Sequence, residues 1–359
     1  MNTLATPIKS IFIDGKAIGK NEKPYVIAEM SGNHNHDIQR AFRLLEAAKA
    51  AGADAVKLQT YTADTITIDH DSPEFFVEGG LWDGRRLYEL YQEAHTPWEW
   101  HQPLFKRARE LGIAIFSSPF DETAVDFLET LGTPAYKIAS PELVDIPLIR
   151  YIAKTKKPII MSTGMASIDE IGDAVDAARC AGCNELLLLH CTAAYPAKPS
   201  DANLSSIADL SQRFDVLCGL SDHTMGTTVS ITAIACGAVA VEKHFTLARS
   251  DGGVDSAFSL EPAELKSLVD GTLLAYESLG HPIKGPVEAE TSVLKNRRSL
   301  YVVKPIKQGD KFSNENIRSI RPANGLPPKM LDQVLGRKAE RDISFGEPLS
   351  KDMIAGFEK

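Results

Sequence analysis

Short apolar runs alternate along this chain with longer stretches whose apolar positions recur every three or four residues. The runs are Tyr25–Ala28, Ala55–Leu58, Ile113–Phe116, Ala135–Ile138, Pro158–Met161, Leu186–His190, Val216–Leu220 and Val239–Glu242. Each has the length and near-continuous apolarity of a strand buried on both faces. The stretches between them read as amphipathic helices. Ala41, Leu44, Leu45, Ala48 and Ala51 share one helical face, as do Leu104, Ala108 and Leu111. Gly52, Gly112, Gly132, Gly182 and Gly237 stand just ahead of the next run, where a left-handed residue ends a helix. Eight such units predict an α/β fold, a (βα)8 TIM barrel over residues 21–282. An open doubly wound sheet is the competing arrangement. No Gly-x-Gly-x-x-Gly follows the first run, however, and eight units suit closure better.

Three segments fall outside this alternation. Ile11-Phe12-Ile13-Asp14-Gly15-Lys16-Ala17-Ile18 is two apolar runs around Asp-Gly, which predicts a hairpin capping the barrel within residues 1–20. Between the second and third runs lies Phe75-Phe76-Val77-Glu78-Gly79-Gly80-Leu81-Trp82-Asp83-Gly84, then a helical Leu87–Ala94. An insertion on a βα loop lies on the catalytic face of a barrel, so this one suits a lid or a substrate wall; a packing excursion is the alternative. After the helix Ala263–Leu279, a linker over residues 283–296 leads to a small second unit, residues 297–359. It holds Leu300–Val303, a Gly309-Asp310 turn, the loop Arg321-Pro322-Ala323-Asn324-Gly325 and a Gly346 turn. A unit of about 60 residues is marginal alone and is expected to lean on a partner surface.

Charge and cysteine content narrow the class. With 39 Lys and Arg against 48 Asp and Glu, the 359-residue chain carries a formal charge of −9, which argues against nucleic acid as its main partner. The five cysteines, Cys180, Cys183, Cys191, Cys218 and Cys236, are an odd count in a large core-forming chain and read as reduced thiols. Cys180 and Cys183 form a C-x-x-C pair, but no second pair follows, so neither zinc nor redox chemistry is expected there. The first residues lack a basic-then-apolar leader, and the most apolar stretch, Ile231–Val241, is about half of a bilayer span. A cytoplasmic protein with no membrane contact is expected.

In a (βα)8 barrel, chemistry gathers at the C-terminal ends of the strands. Here those ends carry Glu29; Lys57 and Gln59; Ser117 and Ser118; Lys137 and Ser140; Ser162 and Thr163; His190 and Tyr195; Ser221, Asp222 and His223; Lys243 and His244. Lys57 and Lys137 close apolar strands, and burying a lysine is costly unless it meets an anion. They predict a cradle for phosphate or carboxylate, assisted by serine hydroxyls. Pairing with a barrel carboxylate such as Glu29 is the alternative. His223 and His244 end the last two strands and can share one divalent ion, with Glu29 and Asp222 as further ligands. Two nitrogens among oxygen donors favour octahedral Mn2+ or Mg2+ over structural zinc. These residues describe a metal-using barrel enzyme for an anionic, phosphorylated substrate and leave the reaction unnamed.

The motifs resemble those of the sialic acid synthase family. Matching segments are Ile27-Ala28-Glu29, Val56-Lys57-Leu58-Gln59-Thr60, Phe116-Ser117-Ser118-Pro119-Phe120, Tyr136-Lys137-Ile138-Ala139-Ser140 and Ser162-Thr163-Gly164-Met165. His190-Cys191-Thr192, Gly219-Leu220-Ser221-Asp222-His223-Thr224 and Glu242-Lys243-His244-Phe245 continue the series. The Arg321-Pro322-Ala323-Asn324-Gly325 loop is similar to that of the family's SAF (antifreeze-like) domain. The resemblance implies condensation of phosphoenolpyruvate with an N-acetylated aldose to a nine-carbon 2-keto acid, with loss of phosphate by C–O cleavage.

It implies Mn2+, or else Mg2+ or Co2+, on His223 and His244, and Glu29 as the general base that positions water. It implies Lys57, Ser118, Lys137, Ser140, Ser162 and Ser221 around phosphoenolpyruvate, and Gln59, Tyr195 and Asp255 on the sugar. Arg321 would reach the active site of the other subunit in a domain-swapped homodimer. The segments Gly79–Arg85, Leu87–Tyr91, His95-Thr96-Pro97 and Asp251–Ser256 resemble the branch that takes 2,4-diacetamido-2,4,6-trideoxy-L-altrose. The branch that makes N-acetylneuraminate carries Asn where this chain has Ala193. The missing 6-hydroxyl of the L-altrose derivative suits apolar residues such as Trp82 and Phe76. Synthesis of N-acetylneuraminate or legionaminate stays open, as does a non-catalytic sugar-phosphate binding protein. So does the destination of the product, flagellin or a surface polysaccharide.

Overall fold

The computed structural model describes residues 10–357. Residues 1–9 of the expected N-terminal cap and the last two residues of the second unit lie outside them. The described chain divides into two compact units, one ending at Gly280 and the other beginning at His281.

In the first unit all eight apolar runs are strands. After β1 (Ile11–Ile13) and β2 (Lys16–Ile18) come β3 (Tyr25–Glu29), β4 (Ala55–Thr60), β5 (Ala114–Pro119), β6 (Tyr136–Ile138), β7 (Ile159–Ser162), β8 (Leu186–Cys191), β9 (Leu217–Asp222) and β10 (Ala240–His244). Strands β3 to β10 are parallel and form a closed barrel, shut where β10 pairs with β3 from Ala240↔Tyr25 to His244↔Glu29. Most strands run one or two residues beyond their apolar run, because the polar residues after it remain in the ladder. Gly219 permits the close approach of β9 to β10, since a Cβ there would stand 2.4 Å from the Ala240 carbonyl oxygen.

The core is layered. Outward residues such as Val56, Leu58, Ile138 and Leu188 pack against the helices. Inward residues at the lower end, Ile27, Ala55, Phe116, Ile160, Leu187 and Leu217, fill the barrel floor together with Ile11, Ile13 and Ile18 of the β1–β2 hairpin. The hairpin is therefore the plug of the barrel. It is pinned by Phe12 N to Glu185 Oε2 at 2.7 Å and by the ion pair of Lys16 with Asp54. Such a dry floor forces all polar inward side chains to the opposite end.

The insertion folds as expected for a helix over Leu87–Ala94, ahead of a second helix, Trp98–Leu111. Asp121 and Ser167 cap the helices that follow them through side-chain bonds to backbone N–H groups.

The second unit pairs β11 (Ser299–Val302) with β12 (Ile317–Ile320) antiparallel. It has a core of its own, in which Leu300, Val302, Phe312, Ile317, Val334 and Ile343 are buried. Gly325 is required beside β11, because a Cβ would meet the Leu300 carbonyl oxygen at 2.3 Å.

Candidate active site

A cavity of about 430 Å³ opens at the C-terminal end of the barrel. Period-two alternation decides what enters it. On β4, Lys57 and Gln59 face in; on β9 and its exit, Ser221 and His223 do; on β10, Glu242 and His244 do. Lys137, Ser140, Ser162, Tyr195 and Asp255 complete the predicted residues on the wall.

Glu242 is the residue that the strand-end reading passed over, and it is central. It is 3% exposed and sits 2.9 Å from Lys57 Nζ, 3.4 Å from Ser221 Oγ and 4.0 Å from Lys137 Nζ. Burial alone would raise its pKa, but Lys137 and Lys57 hold it below the usual carboxylate range. Glu29 has the opposite fate. It is fully buried, off the cavity wall, accepting from Gln59 Nε2 at 2.8 Å with Lys57 at 3.2 Å. Burial outweighs the lysine there and pushes the Glu29 carboxyl up. Two neighbouring carboxylates with pKa values driven apart are the usual arrangement for separating a proton acceptor from a fixed counter-charge.

The two lysines also differ. Burial lowers Lys57, but Glu242 and Glu29 outweigh it and hold the ammonium above its ordinary range. Lys57 is thus already paired to barrel carboxylates, the alternative foreseen for it. Lys137 donates to Ser162 Oγ at 2.6 Å and to the Ile138 carbonyl at 3.1 Å, and burial pushes it down to about 8. It is the lysine with unspent charge for an anion. Ser140 Oγ beside it accepts from Gly164 N at 3.1 Å. A Cβ on Gly164 would stand 2.7 Å from that oxygen, so only glycine allows the contact.

The imidazoles of His223 and His244 lie 5.3 Å apart between ring centres. His223 Nδ1 is 3.0 Å from the Thr192 carbonyl, which can only accept, so Nδ1 carries the proton and Nε2 has a free lone pair. His244 Nδ1 is buried without a hydrogen-bond partner among the described residues, 3.4 Å from Asp255 Oδ2. A ring with a fixed tautomer beside one with an orphaned nitrogen fits a divalent ion. No cluster of three or more His, Cys, Asp or Glu that could hold a metal ion exists among the described residues. Asp255 also accepts from Ser31 Oγ and, through His244, is held below the usual range against its burial.

Several strand-end and other expected residues do not line the cavity. Asp222 is no metal ligand: it faces outward and pairs with Lys243 at 2.8 Å. Lys243 is turned away from the cavity for the same reason of parity. His190 bonds outward to the Ala202 carbonyl at 2.7 Å, and Ser117 bonds Thr60 in the helix layer at 2.6 Å. Ser118 is buried off the wall, its hydroxyl unpartnered among the described residues. Arg321 is exposed, in the second unit. In the insertion, Trp82, Val77, Leu87, Leu90 and Tyr91 line the cavity. Trp82 donates to the Val254 carbonyl at 2.9 Å and packs on Tyr195, ring centres 5.5 Å apart. Phe76 is not on the wall; its backbone bridges to Arg86 within the insertion. Glu142, also unforeseen, lines the cavity half-buried, and loss of water pushes its carboxyl up to about 7.

The chain matches the NeuB family over residues 44–284 and the SAF domain over residues 297–355. Pseudaminic acid synthase of Campylobacter jejuni is 45% identical over 334 residues, covering 92% of this chain and 96% of that protein. Pseudaminic acid synthase of Helicobacter pylori is 44% identical over 336 residues, covering 93% and 98%. Among solved structures, an N-acetylneuraminic acid (sialic acid) synthetase from Leptospira borgpetersenii in complex with citrate is 32% identical, with a TM-score of 0.71 over 80% of this chain and 95% of that one.

Proposed function

The chain belongs to the NeuB family, and from that premise we propose that it is a pseudaminic acid synthase. It condenses phosphoenolpyruvate with 2,4-diacetamido-2,4,6-trideoxy-L-altrose and water to give pseudaminic acid and phosphate. The observation that carries this reading is a cavity whose wall combines a lysine–serine cluster with apolar residues of the insertion. Lys137, Ser140, Ser162 and Ser221 supply charge and hydroxyls, and Trp82, Val77 and Leu87 supply apolar surface.

Phosphoenolpyruvate binds at the lysine–serine cluster, with Lys57 and Ser118 behind it. Its C3 attacks the aldehyde carbon of the sugar. Water adds at C2, and the tetrahedral intermediate expels phosphate with cleavage of the C–O bond. Glu29, whose burial raises its proton affinity, takes the proton of that water through the Gln59 side of the site. Glu242 stays ionised and fixes the lysines. Gln59, Tyr195 and Asp255 orient the sugar. A divalent ion, Mn2+ in this proposal, would be held by His223 and His244 and when bound polarises the sugar aldehyde.

Arg321 is proposed to act on the sugar from the second copy in a domain-swapped homodimer. Its exposure in a small unit supports that assignment. The division into a 21–282 barrel, a 283–296 linker and a SAF domain from residue 297 belongs to the same proposal. All five cysteines are free and no helix among the described residues is long and apolar enough to cross a membrane, which supports a cytoplasmic enzyme.

The test is single-turnover analysis with phosphoenolpyruvate labelled with 18O at the bridging oxygen. Label recovered in phosphate supports C–O cleavage. Label retained in the keto acid refutes it.

A further inference from the structure

We infer that the buried Asp222–Lys243 pair, on the outer face of the barrel, is the positioning couple that sets His223 and His244 at the spacing of one ion. The inference rests on the proposed reading of those imidazoles as metal ligands. Strands β9 and β10 run in register, Val241 opposite Leu220, Glu242 opposite Ser221 and Lys243 opposite Asp222. That last pair ends the ladder. His223 lies one residue past β9, beyond the reach of the β9–β10 ladder.

On the β8 side the His223 carbonyl accepts from Ala197 N at 3.0 Å and its Nδ1 meets the Thr192 carbonyl at 3.0 Å; towards β10, side-chain chemistry holds it. Lys243 Nζ donates to Asp222 Oδ2 at 2.8 Å and also to the Thr224 carbonyl. It therefore grips the residues on both sides of His223, from the strand that carries His244. Asp222 Oδ1 accepts from Thr224 N at 2.8 Å, closing a turn around His223, and Oδ2 accepts from Ser230 Oγ at 2.5 Å. Both side chains of the pair are 1% exposed. A sealed ion pair of this kind is a poor source of stability, because desolvation offsets the attraction; what it supplies is a unique geometry. Parity then completes the device. With residues 222 and 243 turned outward, 223 and 244 face the cavity, their rings 5.3 Å apart.

The test is Mn2+ titration of the full chain, followed by the electron paramagnetic resonance of free Mn2+, with phosphoenolpyruvate affinity measured separately on metal-free protein. In Asp222→Asn and Lys243→Met the Mn2+ dissociation constant is expected to rise about 10- to 100-fold, as for other residues that orient metal ligands. Phosphoenolpyruvate affinity should stay at the wild-type value, and Lys243→Arg should recover part of the loss. A purely structural role would lower the melting temperature and leave the Mn2+ affinity of the folded fraction unchanged, which would overturn the inference. Should the first two variants not fold, Ser230→Ala removes a single hydroxyl from Asp222; a smaller loss in the same direction is expected, and none contradicts it. If His223→Ala binds Mn2+ as tightly as wild type, the metal reading itself falls and takes this inference with it.

Discussion

Lys57 on β4 reaches Glu242 on β10 at 2.9 Å, with Glu29 of the intervening strand 3.2 Å from the same ammonium. One buried cation thus bridges two buried carboxylates, the three groups coming from three consecutive strands of the barrel. Lys57→Met would leave Glu29 without its cation and Glu242 with Lys137 alone. A loss of about 3–5 kcal/mol is expected, measured by urea unfolding, with the larger part recovered in Lys57→Met/Glu242→Gln. An unchanged unfolding midpoint for the single variant would refute this bridge.

Glu29→Gln keeps the shape and the Gln59 contact while removing the proton acceptor. Turnover should fall about 10²- to 10⁴-fold with phosphoenolpyruvate binding intact. Stability should change little, because burial disfavours the charged carboxylate and the amide removes that cost. Turnover equal to wild type would reassign the base, and Glu242 would be the next candidate.

Anion binding should weaken as pH rises through two steps. Glu142 gains a negative charge above about 7, and Lys137 loses its positive charge above about 8. A bound anion stabilises protonated Lys137, so binding near pH 8 takes up a proton. Calorimetry in two buffers of different ionisation enthalpy measures that uptake, and zero uptake contradicts the assignment of Lys137. Glu142→Gln should abolish the lower step and leave the upper one.

Much of this was legible in the sequence. Eight strands could be placed because each is an apolar run with a polar end, and the floor hairpin because Asp14-Gly15 separates Ile11-Phe12-Ile13 from Ala17-Ile18. Parity is what the motifs obscure: Asp222 adjoins His223 and Lys243 adjoins His244, but consecutive strand residues face opposite ways. Counting by twos from either histidine leads to Ser221 and Glu242, the inward residues. Glu142 has no such signal, since it sits on a short turn after β6 whose direction only the fold decides.

Trp82 ties the insertion to the loop that carries Asp255. Trp82→Ala should raise the KM for the sugar about tenfold, the effect of losing one buried aromatic contact, with little change for phosphoenolpyruvate. Trp82→Phe retains the packing on Tyr195 and should lie between. An equal change in both KM values would place Trp82 away from the sugar.

The most direct test of the central claim is phosphate release by purified, Mn2+-loaded protein given phosphoenolpyruvate and one of three sugars. These are 2,4-diacetamido-2,4,6-trideoxy-L-altrose, N-acetylmannosamine and the diacetamido D-mannose derivative that leads to legionaminate. Release with the L-altrose derivative alone is the predicted result. Release only with one of the other two would contradict the assignment to pseudaminic acid.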